Sequence, residues 1–77
     1  MEETIGTRLK QLRERHILTQ KELGERAGVP VVTISRIETA WRGFRPYPST
    51  VRKLADALGV DARWLKFGDS APSESKD

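Results

Sequence analysis

The stretch Leu18–Glu38, LTQKELGERAGVPVVTISRIE, decides the fold. It reads as two short helices joined by a tight turn. Thr19 is an N-cap residue with Glu22 three positions later, the spacing of a capping box. Leu18 before the cap and Leu23 at the fourth helical position supply a hydrophobic staple, which fixes the angle at which the chain enters the helix. Gly28 ends this first helix, because a left-handed residue after the last turn costs glycine nothing. The second helix opens near Pro30, whose fixed φ suits a first turn, and runs over about residues 30–38. Ile34 and Ile37 give it a single apolar stripe. Helices this short are marginal alone. The remaining chain must form a floor beneath them, and the second helix keeps an outer face for something else.

Working outward, Met1–Glu3 reads as a loose terminus and Thr4 as the cap of a helix over 5–16. Ile5, Leu9, Leu12 and His16 fall on one face of it. His16 suits a helix C-terminus, where the dipole favours its protonated form, and is read as structural. Arg13 lies off the stripe. Gly24 interrupts the helix over 20–27 at a cost of about 1 kcal/mol against alanine, which implies close approach of the next helix. Residues 39–48, TAWRGFRPYP, read as a long loop broken by two prolines and a glycine. Its rings Trp41, Phe44 and Tyr47 pin the loop to the core, or Arg42 and Arg45 between them contact backbone phosphates while an aromatic helps dimerisation, and both can hold at once. Ser49 caps a fourth helix with Val51, Leu54, Ala55 and Leu58 on one face, ended by Gly59 and Val60 in a Schellman arrangement. Asp61 caps a last helix over 62–66, and Gly68 stops it. Residues 69–77 are polar and read as a disordered tail. The expectation is an all-α fold of five helices over 1–68, with a helix-turn-helix at about 20–38. Its core is drawn from Ile5, Leu9, Leu12, Leu18, Leu23, Ala27, Val29, Ile34, Ile37, Val51, Leu54, Ala55, Leu58, Val60 and Leu65.

A chain of 77 residues is one domain, near the lower size limit for folding without staples. It has no cysteine, hence no disulfide and no thiolate metal site, and one histidine cannot form a multi-His site. No apolar run approaches the length of a membrane span, so a soluble, cytoplasmic protein is expected. Charge placement is more telling than the net +3. Residues 29–53 carry Arg36, Arg42, Arg45, Arg52 and Lys53 against Glu38 alone. A basic cluster on and after the second helix of the motif is either a solvated face or a surface for a polyanion, most simply nucleic acid. Val31 and Val32 adjoin it on the outer face with Thr33, Ser35 and Arg36.

These residues carry a family resemblance. Thr19-Gln20-x-Glu22-Leu23, Gly28-Val29, Thr33-Ile34-Ser35-Arg36-Ile37-Glu38 and Leu54-Ala55-x-Ala57-Leu58-Gly59-Val60 resemble the phage-repressor and Cro-like helix-turn-helix (XRE) family. Arg8-Leu9-x-x-Leu12-Arg13 and Trp64-Leu65 match as well, so the similarity covers about residues 4–68. It implies a lambda-repressor-like DNA-binding domain that acts as a homodimer on a near-palindromic operator in double-stranded DNA, with the third helix in the major groove. Gln20 matches the family's phosphate-contacting glutamine. Arg13 and Glu38 match a pair often buried as a salt bridge between the first and third helices. Base reading falls to Val31, Val32, Thr33 and Arg36, and phosphate contact to Gln20, Ser35, Arg42 and Arg45. Trp41, Phe44, Trp64 and Phe67 are candidates for the dimer surface. The chain departs from the family at Val31 and Val32, where polar readers are common, at Pro30, which replaces a Ser or Thr cap, and at Thr39-Ala40, which replaces an Asn-Gly-like turn.

The leading reading is a sequence-specific transcriptional regulator, most simply a repressor. A second is an antitoxin or anti-repressor acting through protein contacts on the same fold. Nothing resembles enzyme chemistry: there is no cysteine, the one histidine falls at a helix end, and no paired carboxylates fall in an expected cleft. No cofactor, membrane partner or small-molecule ligand is expected, and no second domain that would sense one.

Overall fold

A computed structural model describes residues 3–68 of the chain; the expected tail over 69–77 lies outside the described residues, as do Met1 and Glu2. Five α-helices follow in order: α1 (Ile5–Arg15), α2 (Gln20–Ala27), α3 (Val31–Thr39), α4 (Pro48–Leu58) and α5 (Ala62–Phe67). A single 3-10 turn, Trp41–Gly43, interrupts what was expected to be an irregular loop after α3. No strand occurs among the described residues, and no helix there is long and apolar enough to cross a membrane.

Local chemistry accounts for most helix ends. Thr4 and Thr7 cap α1 reciprocally, each hydroxyl accepting the other's backbone N–H. Thr19 and Glu22 do the same for α2, at 3.0 and 2.9 Å. Gly28 and Gly59 close α2 and α4 in the left-handed region. The Schellman arrangement at Gly59 is complete: Gly59 N–H donates to Asp56 and Val60 N–H to Ala55. Asp61 caps α5 by accepting from the N–H of Arg63.

Helices α3 and α5 each run one residue further than expected, to Thr39 and Phe67, and three other boundaries differ for visible reasons. The first helix ends at Arg15, and His16 is an exposed cap residue outside the apolar stripe. Ile17 follows at φ 55° and is 87% exposed. That backward turn brings Leu18 into the core, where its N–H donates to the Arg13 carbonyl. Second, Pro30 is the N-cap of α3, not its first residue; it offers no side-chain cap, and its carbonyl accepts from Thr33 and Ile34. Third, α4 begins at Pro48, so Ser49 lies inside the first turn and not at the cap. Proline at that position loses nothing, since its missing N–H has no helical partner there.

The core gathers Leu9, Leu23, Ile34, Ile37, Leu54 and Leu65 at full burial, with Leu12, Leu18, Val29, Val51, Ala55 and Leu58 around them. Ile5, Ala27 and Val60, also expected inside, are half-buried against it. Gly24 is explained by close approach, chiefly of the turn: a Cβ there would lie 2.6 Å from the Val29 carbonyl oxygen and 3.5 Å from Ile34 Cδ1. Gly6 is more constrained, since its Cβ would overlap the Ile37 carbonyl oxygen where α1 crosses α3.

Arg8 is a buried charge, 3% exposed. Its guanidinium donates to the carbonyls of Leu65 (2.9 Å) and Lys66 (2.6 Å) at the end of α5, and to that of Glu3 (3.4 Å). It thereby satisfies carbonyls that a helix C-terminus leaves without partners, at the end where the helix dipole favours a cation. It lies three residues after Ile5 and four before Leu12, on the same inward face of α1.

Two opposite substitutions test this packing by urea denaturation. Gly6→Ala normally gains helix propensity, but here it is expected to lose about 1–3 kcal/mol from overlap. Ile17→Gly is expected to gain about 1 kcal/mol by relieving a left-handed β-branched residue. A stabilised Gly6→Ala protein would show that α1 and α3 do not approach as described.

Candidate nucleic-acid interface

Helix α3 is locked in place at its C-terminal end. The Glu38 carboxylate accepts from Arg13 Nε at 2.8 Å, Arg13 Nη2 at 3.0 Å and Gln20 Nε2 at 3.0 Å. The third arginine nitrogen, Nη1, donates to the Leu18 carbonyl at 2.8 Å. One carboxylate therefore ties α3 to α1, to the start of α2 and, through Arg13, to the turn between them. The pair is withdrawn from water, with 12% of the Arg13 side chain and 3% of the Glu38 side chain exposed. The Arg13 pKa is raised, first by its hydrogen bond to Glu38 and then by the nearby charges of Glu38 and Glu14, against the opposing effect of burial. A raised pKa on a cation contributes stability below the ordinary arginine value and loses it only above the raised one. The guanidinium thus stays charged throughout the ordinary pH range. Gln20 spends one amide hydrogen on Glu38 and keeps the other, since its Nε2 carries two.

With Ile34 and Ile37 inward and Glu38 fixed, the opposite face of α3 points out. Val31 and Val32 stand 47% and 51% exposed at its tip. Thr33, Ser35 and Arg36 are half-buried along the same side. The Ser35 carbonyl accepts the Thr39 hydroxyl at 2.9 Å, which tightens the last turn.

The 3-10 turn then reverses the chain beside this face. Ala40 and Arg42 take left-handed conformations, at φ 52° and 49°, on either side of Trp41. The Arg36 guanidinium carbon lies 4.5 Å from the centre of the Trp41 ring, and that of Arg42 lies 5.0 Å from it. Arg42 and Arg45 are exposed. The base-reading and phosphate candidates Val31, Val32, Thr33, Ser35, Arg36 and Arg42 thus lie on α3 and the turn that follows it, with Gln20 tied to the end of α3 through Glu38.

The four candidates for a dimer surface are not one patch. Phe44 and Trp64 pack partly against the core. Phe44 and the 47%-exposed Phe67 line one groove with Ile5, Arg45, Pro46 and Lys66. Trp41 instead lies with the arginines of α3 and its turn.

Residues 9–65 match the helix-turn-helix family. The chain belongs to the phage-repressor, Cro-like branch of that family, a family of transcription regulators. It is 42% identical over 65 residues to the HTH-type transcriptional repressor RghR of Bacillus subtilis (strain 168), covering 84% of this chain and 47% of that protein. It is 42% identical over 56 residues to the uncharacterised HTH-type transcriptional regulator RghRB of the same organism, covering 73% of this chain and 40% of that one. The chain thus spans less than half the length of either relative. Among solved structures, the P22 c2 repressor bound to a synthetic operator matches with a TM-score of 0.79 at 28% identity, over 88% of this chain and 100% of that one. The N-terminal DNA-binding domain of SinR from Bacillus subtilis matches at 0.75 and 33% identity, over 79% and 87%.

Because Glu38 holds three donors in a dry site, Glu38→Ala should strand Arg13 and cost about 3–5 kcal/mol. Urea denaturation at neutral pH reads this directly. A cost below about 1 kcal/mol would mean that the pair does not fix α3.

Proposed function

We propose that this chain is the operator-reading domain of a transcriptional repressor, acting as a dimer on near-palindromic double-stranded DNA in the cytoplasm. The observation that carries the reading is the outward face of α3. Val31, Val32 and Arg36 stand there beside a basic turn, on a helix locked to its scaffold by Glu38. In this reading α3 enters the major groove. Val31 and Val32 pack against thymine methyl groups, since valine offers a base edge no hydrogen bond. Arg36 reads a guanine through O6 and N7, the pairing that a forked guanidinium suits best, and Thr33 contacts a base or phosphate beside it. Gln20, Ser35, Arg42 and Arg45 position the domain on phosphates without reading sequence. The groove of Phe44 and Phe67 is the favoured place for the second copy, because it combines exposed aromatic surface with a rim supplied by Arg45 and Lys66.

Selection from random duplexes, followed by affinity measurements over a range of salt, tests this. The preferred site is expected to bind with log K falling by about 0.9 per log unit of salt for each phosphate contact. Arg36→Ala should lose about 1–3 kcal/mol at a single base position, whereas Arg42→Ala or Arg45→Ala should weaken all sequences alike. Replacing the thymidine that faces Val32 by deoxyuridine removes one methyl group and should cost about 0.8 kcal/mol. Binding indifferent to both salt and sequence would overturn the reading.

A further inference from the structure

The turn after α3 holds a large ring at the surface. Trp41 is 44% exposed, although a tryptophan of a small domain gains most from burial. Left-handed alanine and arginine residues on either side of it hold it there, conformations that cost a residue with a Cβ about 1–2 kcal/mol each. Two guanidiniums lie against the ring, those of Arg36 at 4.5 Å and Arg42 at 5.0 Å from its centre. Among the described residues the Arg36 side chain makes no hydrogen bond or ion pair, so the indole is what holds its charged end.

We propose that Trp41 is a specificity-determining positioning residue, whose ring holds the Arg36 guanidinium ready for a base edge without itself touching a base. The proposal rests on Arg36 being the hydrogen-bonding reader. Attraction to the ring face leaves the guanidinium's N–H donors unspent, because it uses none of them as a hydrogen bond. An arginine free to sample its rotamers would have to be ordered on binding, and anchoring it beforehand removes part of that cost. Arg42 also packs on the ring, 5.0 Å from its centre, and carries its own charge toward the backbone phosphates. This separates two effects of one tryptophan. Loss of the stack on Arg36 relaxes discrimination at one base pair, and loss of the stack on Arg42 weakens every duplex equally.

The test compares Trp41→Leu, which keeps apolar bulk without a π face, with Trp41→Tyr, which keeps one. Both are measured beside Arg36→Ala and the double variant Arg36→Ala/Trp41→Leu, on the selected site and its single-base substitutions. Urea midpoints are recorded for each protein. Trp41→Leu is expected to reduce discrimination about three- to tenfold at the base pair whose preference Arg36→Ala removes. Discrimination at the pairs facing Val31 and Val32 should be unchanged. Trp41→Tyr should retain most of it, and the double variant should discriminate no worse than Arg36→Ala alone. Unchanged discrimination in Trp41→Leu would overturn the proposal, as would an equal loss at every base pair, which would mark Trp41 as scaffold only. If Trp41→Leu lowers the urea midpoint severely, Trp41→Tyr against Trp41→Phe at the same base pair decides, and loss of discrimination in both overturns it. A wild-type protein that selects a site whose preferences Arg36→Ala leaves intact would instead refute the assigned reader.

Discussion

The structure depends on one carboxylate. Glu38 accepts three hydrogen bonds from two other helices while almost wholly withdrawn from water. Burying an ion pair contributes little to stability beyond what an apolar pair of the same volume would give. Its effect here is on orientation. Helix α3 has only nine residues and two buried isoleucines, so apolar packing alone leaves its rotation loosely specified. A bidentate arginine donates to a carboxylate in one geometry, which fixes the helix about its axis. Once that angle is set, Val31 and Val32 have only one direction in which to point, and the root of the Arg36 side chain is placed beside them.

Helix α1 does the corresponding task at both ends of the domain. Arg13 near its C-terminus secures α3, and Arg8, five residues earlier, secures the end of α5. Each arginine spends its donors on groups withdrawn from water, a carboxylate in one case and helix-end carbonyls in the other. The core then needs few large side chains, because polar bridges hold the short helices where apolar area is scarce. Gly6 belongs to the same logic: α1 sits close enough to α3 for Arg13 to reach Glu38 because no Cβ separates the backbones at Ile37.

What could be read from the sequence was what depends on neighbouring residues. Thr4, Thr19, Gly28, Gly59 and Asp61 act within a turn of themselves, and the structure uses each as its type suggests. Pro48 and Ser49 sent competing local signals, and the fixed proline φ prevailed over a serine cap. Arg8 and Gly6 escaped because their reasons lie far along the chain: Leu65 is 57 residues from Arg8. Arg8 nevertheless sat in plain view on the inward face, and an arginine at a core position with helical spacing signals a buried acceptor. Arg13 and Glu38 were paired through family resemblance; periodicity alone puts Arg13 off the stripe. The aromatic loop was the least legible, since a ring that pins a loop and a ring that holds arginines have the same composition. Only the left-handed residues around Trp41 distinguish them, and those conformations are invisible in an Ala-Trp-Arg sequence.

The residues on the face of α3 differ in how much help they need. Valine is β-branched and held to essentially one rotamer in a helix, so Val31 and Val32 are placed as soon as the backbone is. Their apolar contacts are also non-directional and tolerate small errors in angle. Arginine is the opposite case, a long flexible side chain whose value lies in directional, paired donors. A helix that presents both kinds has to be rigid for the first and needs a separate device for the second. The Glu38 network supplies rigidity to the backbone, but none of its hydrogen bonds reaches the Arg36 guanidinium. A ring set beside that guanidinium by two left-handed residues completes the constraint at the side chain. The backbone strain in the turn is then the cost of holding Trp41 at the surface, and it falls beside the one proposed base-reading side chain that its own helix cannot hold still.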